Sequence, residues 1–213
     1  MNDSLVVALN KGRILEDCLQ LFAAAGVEPL DDIHSSRKLI FETTVPGVSF
    51  VVVRSGDVPV YVDHGAADLG VTGKDTLLEY DGGGFYERLD LGIARCRLMT
   101  AGVPDHEPAG GRLRVATKFV RVARQFYAQR GQQVDVIHLS GAMELAPLMG
   151  LADRIVDIVE TGNTLKANGL EAMETIAEIS SRVIVNRASL KVKGATIQGL
   201  LERLSNAVRM RAA

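Results

Sequence analysis

The residue types best suited to chemistry lie in one short stretch, Ile155-Val156-Asp157-Ile158-Val159-Glu160-Thr161-Gly162-Asn163-Thr164-Leu165. An apolar run leads through two acids into a turn whose glycine and hydroxyls suit a phosphate. Gly162 lets the backbone approach a bound group closely, and Thr161 and Thr164 supply hydroxyl donors. A helix beginning within Leu165 to Asn168 would add free N–H groups and the positive end of its dipole. Such a turn reads as a phosphate cradle. Asp157 and Glu160, just before it, suit sugar hydroxyls, or Mg²⁺ held through water. For a Thr-Gly pair taken alone, the competing reading is a helix cap beside solvated acids.

A strand must deliver that turn, and the surrounding pattern supplies one. Ile155 to Val159 follows strand Leu113 to Thr117, helix Phe119 to Arg130, strand Val134 to Leu139 and helix Met143 to Leu148. Nearer the N-terminus, Leu5 to Leu9 reads as a buried strand. After the turn Lys11-Gly12-Arg13, apolar residues recur at helical spacing through Phe22, and Gly26 is placed to end that helix with a left-handed cap. Lys38 to Thr43 and Val48 to Arg54 are β-rich runs on either side of Pro46-Gly47. Asp57-Val58-Pro59 opens a helix, and Ala67 to Thr72 is a short strand followed by Gly73-Lys74-Asp75 and another helix. Ile176 to Ile179 and Val183 to Asn186 are strand-like, and Thr196 to Arg211 is an amphipathic helix. This alternation predicts an α/β fold of mixed, mainly parallel sheet covered by helices. Gly102 to Gly111, rich in glycine and proline, reads as a surface connection near a domain boundary. Two lobes with a ligand cleft between them suit an enzyme with two substrates, because ligands of open α/β sheets bind at the carboxyl ends of strands.

Composition narrows the function classes. The chain has 213 residues, 47% hydrophobic and 23% charged, enough for one good core or two small ones, which excludes disorder. A net charge of -2 with dispersed cations leaves no electrostatic footprint for nucleic acid. Cys18 and Cys96 have no CxxC spacing and read as small core residues rather than a zinc or disulfide framework. The apolar run Leu5 to Leu9 is too short for a signal peptide or a membrane span, so the expected address is cytoplasmic, with no membrane partner. The four histidines, His34, His64, His106 and His138, sit in no constellation with a nucleophile.

The turn also belongs to a longer pattern, Glu144-x5-Gly150-x-Ala152-x2-Ile155-x-Asp157-Ile158-x2-Thr161-Gly162-x-Thr164-Leu165. This resembles the signature of the ATP phosphoribosyltransferase family, without departure at its fixed positions. Leu9-Asn10-Lys11-Gly12-Arg13, Ser36-Arg37-Lys38-Leu39, Arg54-Ser55-Gly56-Asp57-Val58-Pro59 and Asp68-Leu69-Gly70-Val71-Thr72-Gly73-Lys74-Asp75 resemble further blocks of that family. The resemblance covers essentially the whole chain and is to the short form, which lacks a C-terminal histidine-sensing domain. It implies a periplasmic-binding-protein-like fold of type II, with residues 1–95 and 180–213 forming lobe I and 96–179 forming lobe II. The implied partners are ATP, phosphoribosyl pyrophosphate, a histidyl-tRNA-synthetase-like regulatory subunit in a hetero-oligomer, and a second copy in a homodimer.

The implied reaction joins N1 of the adenine of ATP to C1′ of phosphoribosyl pyrophosphate, with loss of pyrophosphate, the first step of histidine biosynthesis. Thr161, Gly162, Asn163 and Thr164 are expected on the 5-phosphate, with Asp157, Glu160 and, more weakly, Glu144 near the ribose. Lys11, Arg13, Arg37 and Arg54 lie in the blocks that the resemblance places at the cleft. Arg13 and Arg37 are expected to stabilise departing pyrophosphate, and Lys11 to bind the donor; Gly12, Arg54, Ser55 and Lys74 are assigned to ATP. Mg²⁺ is expected to ride on the pyrophosphate, with no protein metal site. Asp68 and Asp75 are left without a role, Asp75 reading as a helix cap and Lys74 as its solvent partner.

Three rivals compete with this reading. A salvage phosphoribosyltransferase shares an acid-then-Thr/Gly loop but not the Glu144 to Gly150 spacing or the basic turn at Lys11. A two-lobed solute-binding protein would do no chemistry and would need export. A degenerate structural subunit has no reason to keep the loop and the arginines.

Overall fold

The computed structural model describes residues 4–106 and 111–212. They form two compact units, one from the chain up to Ala94 together with the chain from Ser180 onward, the other from Arg95–Ile179. The chain runs through β1 (Leu5–Asn10), α1 (Arg13–Ala24), β2 (Ile40–Glu42), β3 (Val48–Val53), a 3-10 turn (Ser55–Asp57), α2 (Val58–Asp63), β4 (Leu69–Gly73), α3 (Lys74–Glu79) and β5 (Phe85–Asp90). The second unit contains β6 (Cys96–Gly102), β7 (Leu113–Thr117), α4 (Val120–Ala128), β8 (Val134–His138), α5 (Leu145–Leu148), β9 (Arg154–Val159), α6 (Asn163–Ala167) and β10 (Glu171–Ile179). The first unit is completed by β11 (Ser181–Asn186), α7 (Arg187–Val192) and α8 (Gly194–Ala212).

The first unit is a six-stranded sheet in the order β2-β3-β1-β4-β11-β5, parallel across β3-β1-β4 and antiparallel elsewhere. Period-two alternation divides β1 between two faces. Leu5, Val7 and Leu9 join Phe22, Phe50, Val71 and Leu204 in one core, while Ala8 packs with Val58, Val62 and Ile184 in the other. Gly70 makes the second face possible. A Cβ there would lie 2.7 Å from methyl groups of both Val58 and Val62, so only glycine lets α2 rest this close to β4. Gly26, with φ +77, ends α1 in the left-handed conformation, its N–H donating to the Ala23 carbonyl.

Asp68 is a brace. It is 5% exposed at the amino end of β4, where the Val6 N–H donates to its Oδ2 at 2.9 Å and Lys193 Nζ donates to its Oδ1 at 2.8 Å. The pair ties β1 and β4 to the start of α8.

The second unit is a five-stranded sheet in the order β10-β6-β9-β7-β8, parallel across β9-β7-β8 and antiparallel across β10-β6-β9. Met99, Ile155, Val159, Leu165 and Leu170 share its core. Thr117 is fully buried with its hydroxyl satisfied, donating to the Val156 carbonyl at 2.7 Å and accepting from the Phe119 N–H at 2.8 Å. At the opposite end Arg114 binds Asp153, Nη2 to Oδ1 at 2.7 Å, and the Arg114 backbone N–H also donates to Oδ2.

Several expectations change. β5, β6 and α7 were not anticipated; β5, Phe-Tyr-Glu-Arg-Leu-Asp, is mostly exposed and has no apolar stripe to announce it. Gly102 ends β6 inside the second unit, against Arg154 and the Asp153 carbonyl, so the connection that follows is not at a unit boundary. Residues 107–110 of that stretch lie outside the described residues. Cys18 is buried, its thiol pushed up to about 12 chiefly by burial, but Cys96 is only half-buried.

Arg114 holds the Asp153 carboxyl below the ordinary carboxylate range through its hydrogen bond. A carboxyl whose folded pKa is depressed contributes stability that is full above the unfolded pKa and is lost as pH falls through the folded one. Arg114→Met is therefore expected to raise the pH at which acid unfolding begins, read by circular dichroism; an unchanged acid midpoint would show that the pair is not coupled to folding.

Candidate functional site

Parallel pairing decides which loops meet. In register Asn10↔Val53, β1 and β3 end side by side, and the Lys11 N–H continues the ladder by donating to the Val53 carbonyl at 2.8 Å. The next residues along each strand are Lys11-Gly12-Arg13 and Arg54-Ser55. β4, parallel to β1, ends at Gly73 on the same edge and delivers Lys74. β2 is antiparallel to β3, and Val52 N–H donates to the Leu39 carbonyl, so the segment holding Arg37 leads into β2 from this edge as well. The cationic turns of the first unit thus share one sheet edge.

Gly12 precedes α1 with φ 123° and ψ -152°, a conformation essentially confined to glycine, and its carbonyl accepts the Leu15 N–H that opens the helix. Lys11, Gly12, Arg13, Arg37 and Arg54 are exposed. Ser55 turns inward, with its hydroxyl 2.9 Å from that of Thr76 and 3.2 Å from that of Thr72. Thr72 also donates to the Ser55 carbonyl. Lys74 corrects an expectation: its Nζ donates to Glu87 Oε2 at 2.6 Å rather than to Asp75, and Glu87 also holds Arg182. Asp75 sits in the first turn of α3 with its carboxylate over Gly73.

In the second unit β9 ends at Val159 and the turn Glu160-Thr161-Gly162 follows directly. Gly162 has φ 78°, the left-handed conformation that reverses the chain, and α6 starts at Asn163 rather than at or after Leu165. Asn163 and Thr164 are therefore in the first helical turn. Thr161 Oγ1 accepts the Asn163 N–H at 3.4 Å, and the Gly162 carbonyl accepts the Lys166 N–H. Val159 and Leu165, each 5% exposed, anchor the two sides of the turn in the core, while Glu160, Thr161, Asn163 and Thr164 face solvent. Asp157 is half-buried on β9, its Oδ1 accepting the Ile158 N–H at 2.9 Å. Glu144 is also half-buried, immediately before the short helix α5.

Asn10 lies in the Leu9-Asn10-Lys11-Gly12-Arg13 block, where sequence suggests no role for it. It is 6% exposed, and its Oδ1 is buried without a hydrogen-bond partner. Sequence alone carries no signal for such an orphan, because it shows neither burial nor partners. Among the described residues no group of three His, Cys, Asp or Glu side chains is placed to hold a metal ion.

The profile of the ATP phosphoribosyltransferase family matches residues 54–206. The chain is 60% identical to the ATP phosphoribosyltransferase of Marinobacter nauticus over 211 residues, 99% of each chain, and 60% identical to that of Alcanivorax borkumensis over 213 residues, 100% of each. Among solved structures it is similar to the ATP phosphoribosyl transferase (HisG:HisZ) complex from Thermotoga maritima, with TM-score 0.86 and 33% identity, covering 98% of this chain and 100% of that one. The periplasmic aliphatic sulphonate binding protein SsuA of Escherichia coli shares the fold, with TM-score 0.60 at 16% identity, covering 96% of this chain and 72% of that one.

Beyond its two chain neighbours, no atom among the described residues lies within 4 Å of a Cβ built on Gly12, so replacing it tests conformation alone. Gly12→Ala is expected to destabilise the fold by about 1–3 kcal/mol in urea unfolding; an unchanged midpoint would mean that this turn relaxes without strain.

Proposed function

We propose, on the premise that this chain belongs to the ATP phosphoribosyltransferase family, that it transfers the 5-phosphoribosyl group of phosphoribosyl pyrophosphate to N1 of ATP, releasing pyrophosphate. This is the first step of histidine biosynthesis. The observation that carries the reading is the turn at the end of β9, where the family signature coincides with a left-handed glycine and a run of exposed hydroxyl and amide groups.

N1 of adenine already carries a lone pair, so no strong base has to create the nucleophile. Placement of the reactants and stabilisation of the leaving group supply the rate. Thr161, Gly162, Asn163 and Thr164 receive the 5-phosphate. Asp157 and Glu160, with Glu144 beside them in sequence pattern, take the ribose hydroxyls, and their negative charge favours a sugar ring that becomes cationic as pyrophosphate leaves. Arg13 and Arg37 neutralise the charge developing on pyrophosphate, with Lys11 binding the donor; a guanidinium grips phosphate with two parallel hydrogen bonds. Arg54, Ser55, Gly12 and Lys74 serve ATP, Lys74 exchanging Glu87 for a phosphate oxygen. Mg²⁺ arrives with the pyrophosphate as part of the substrate, held by phosphate oxygens and water.

The Thermotoga maritima neighbour is a HisG:HisZ complex. That likeness supports a hetero-oligomer with a regulatory subunit; in this reading the chain is its catalytic subunit, the regulatory subunit is histidyl-tRNA-synthetase-like, and the chain pairs with a second copy of itself. No helix among the described residues is long and apolar enough to cross a membrane, and a biosynthetic role fits the cytoplasm. The likeness to a sulphonate-binding protein, at 16% identity, concerns the fold alone.

Purified chain given ATP, phosphoribosyl pyrophosphate and Mg²⁺ is expected to release pyrophosphate and form the N1 adduct, with adenine, guanine and orotate inert as acceptors. Transfer to a free base, or silence even with the regulatory subunit added, would sink the reading. Arg13→Ala and Arg37→Ala are each expected to lower kcat and kcat/KM together, by about 2–4 kcal/mol of transition-state stabilisation. A change in KM alone would reduce them to ground-state binding.

A further inference from the structure

A polar side chain nine-tenths buried and bonded to nothing is unusual, and Asn10 is one, 6% exposed with an orphaned Oδ1. Its position removes the idea that it is a packing accident. It ends β1, the residue before the basic turn Lys11-Gly12-Arg13. By strand alternation it continues the face of Val6 and Ala8, the face on which α2 packs. Across β1–β4 the register runs Leu9↔Val71, so one step further brings Asn10 beside Thr72. Thr72 belongs to the hydroxyl group of Ser55, Thr72 and Thr76, whose members already bond one another. The chain therefore builds a polar floor at this strand edge and leaves one carboxamide in it unspent. Leaving such a group unmade is costly in the unliganded protein, so an apolar residue of the same shape would fold better.

Resting on the proposed transfer to ATP, we infer that Asn10 is a specificity-determining residue that reads the adenine base along its N6/N7 edge. The reaction itself dictates the edge. N1 must present its lone pair to C1′, so a group that recognises adenine through N1 would block the chemistry. The opposite side of the base offers the N6 amino donor and the N7 acceptor, which one carboxamide matches with two hydrogen bonds. Oδ1 accepts from N6 and Nδ2 donates to N7, leaving N1 free. Guanine places a carbonyl oxygen where adenine has the amino group, and two acceptors then face each other. Because Oδ1 is covered in the unliganded chain, the carboxamide or its cover shifts when the base enters.

The test pairs residue deletion with substrate-atom deletion. The kcat/KM of the unaltered chain, Asn10→Ala and Asn10→Leu is measured with ATP, with 7-deaza-ATP, which lacks the N7 acceptor, and with purine riboside triphosphate, which lacks the N6 amino group. Both analogues alter the basicity of N1, but that effect is common to all three proteins and cancels when the analogue penalties are compared. The unaltered chain is expected to suffer a penalty on each analogue about 10-fold larger than either variant does, the size of one good base contact. Asn10→Leu is further expected to unfold at the same or a higher temperature, and both variants to keep the KM for phosphoribosyl pyrophosphate. Equal analogue penalties in all three proteins would overturn the inference, as would a variant that loses activity only because it has lost stability. Absence of ATP turnover by the unaltered chain is a separate outcome, which fails the proposed function and this inference with it.

Discussion

Parallel pairing of β1 with β3 and β4, and of β9 with β7, is the constraint on which the rest depends. Parallel strands start at one edge of a sheet and finish at the other, so every residue immediately after them is delivered to the same side whatever lies between in sequence. Lys11, Arg54 and Lys74 come from three separate segments, yet the register of two strand pairs brings their turns together. The antiparallel strands do the complementary work: β2 leads in from the functional edge, while β11 and β5 widen the sheet beyond β4. In the second unit β9 lies between β6 and β7, and the loop it feeds is therefore held by a strand paired on both sides.

The two ends of these strands are treated differently by their polar groups. At the amino ends, carboxylates are bound by cations and backbone donors, Asp68 by Lys193 and Asp153 by Arg114. Such pairs fix the strands without asking anything of a ligand. At the carboxyl ends some polar groups are exposed, as Lys11 and Thr164 are, others are buried and bonded, as Thr72 and Thr117 are, and Asn10 Oδ1 is buried without a partner.

Much of this was legible beforehand because the relevant signals are local. β1 and β7 are short apolar runs bounded by turns and appear within a residue of their expected limits, and Gly26 ends α1 as its position implied. The acid and Thr/Gly spacing of Glu144 to Leu165 needs no structure to be seen. What could not be read depends on contacts distant in sequence. β5 is polar along its length and exists through its pairing with β11, nearly a hundred residues later. Lys74 has an acid next to it in sequence, but its partner is Glu87 on β5, a strand the pattern did not disclose. α6 starts earlier than its sequence suggests because Asn163 and Thr164, weak helix formers in a helix interior, are accommodated in a first turn that a left-handed glycine opens. Burial of Asn10 is a three-dimensional fact with no sequence counterpart.

The chain crosses from the first unit to the second after Ala94 and crosses back after Ile179, so one unit is contiguous and the other is split around it. β11, which fills the place between β4 and β5, follows the inserted unit and is made later than either of them. During synthesis the first unit therefore has a gap in its sheet, and β5 lacks its pairing partner, until the whole inserted unit has emerged. The second unit has all its strands in hand earlier and is free to fold first, since domains fold as units in order of emergence. A protease or a stalled ribosome acting before residue 180 would leave β4 with an open edge and β5 without its partner strand.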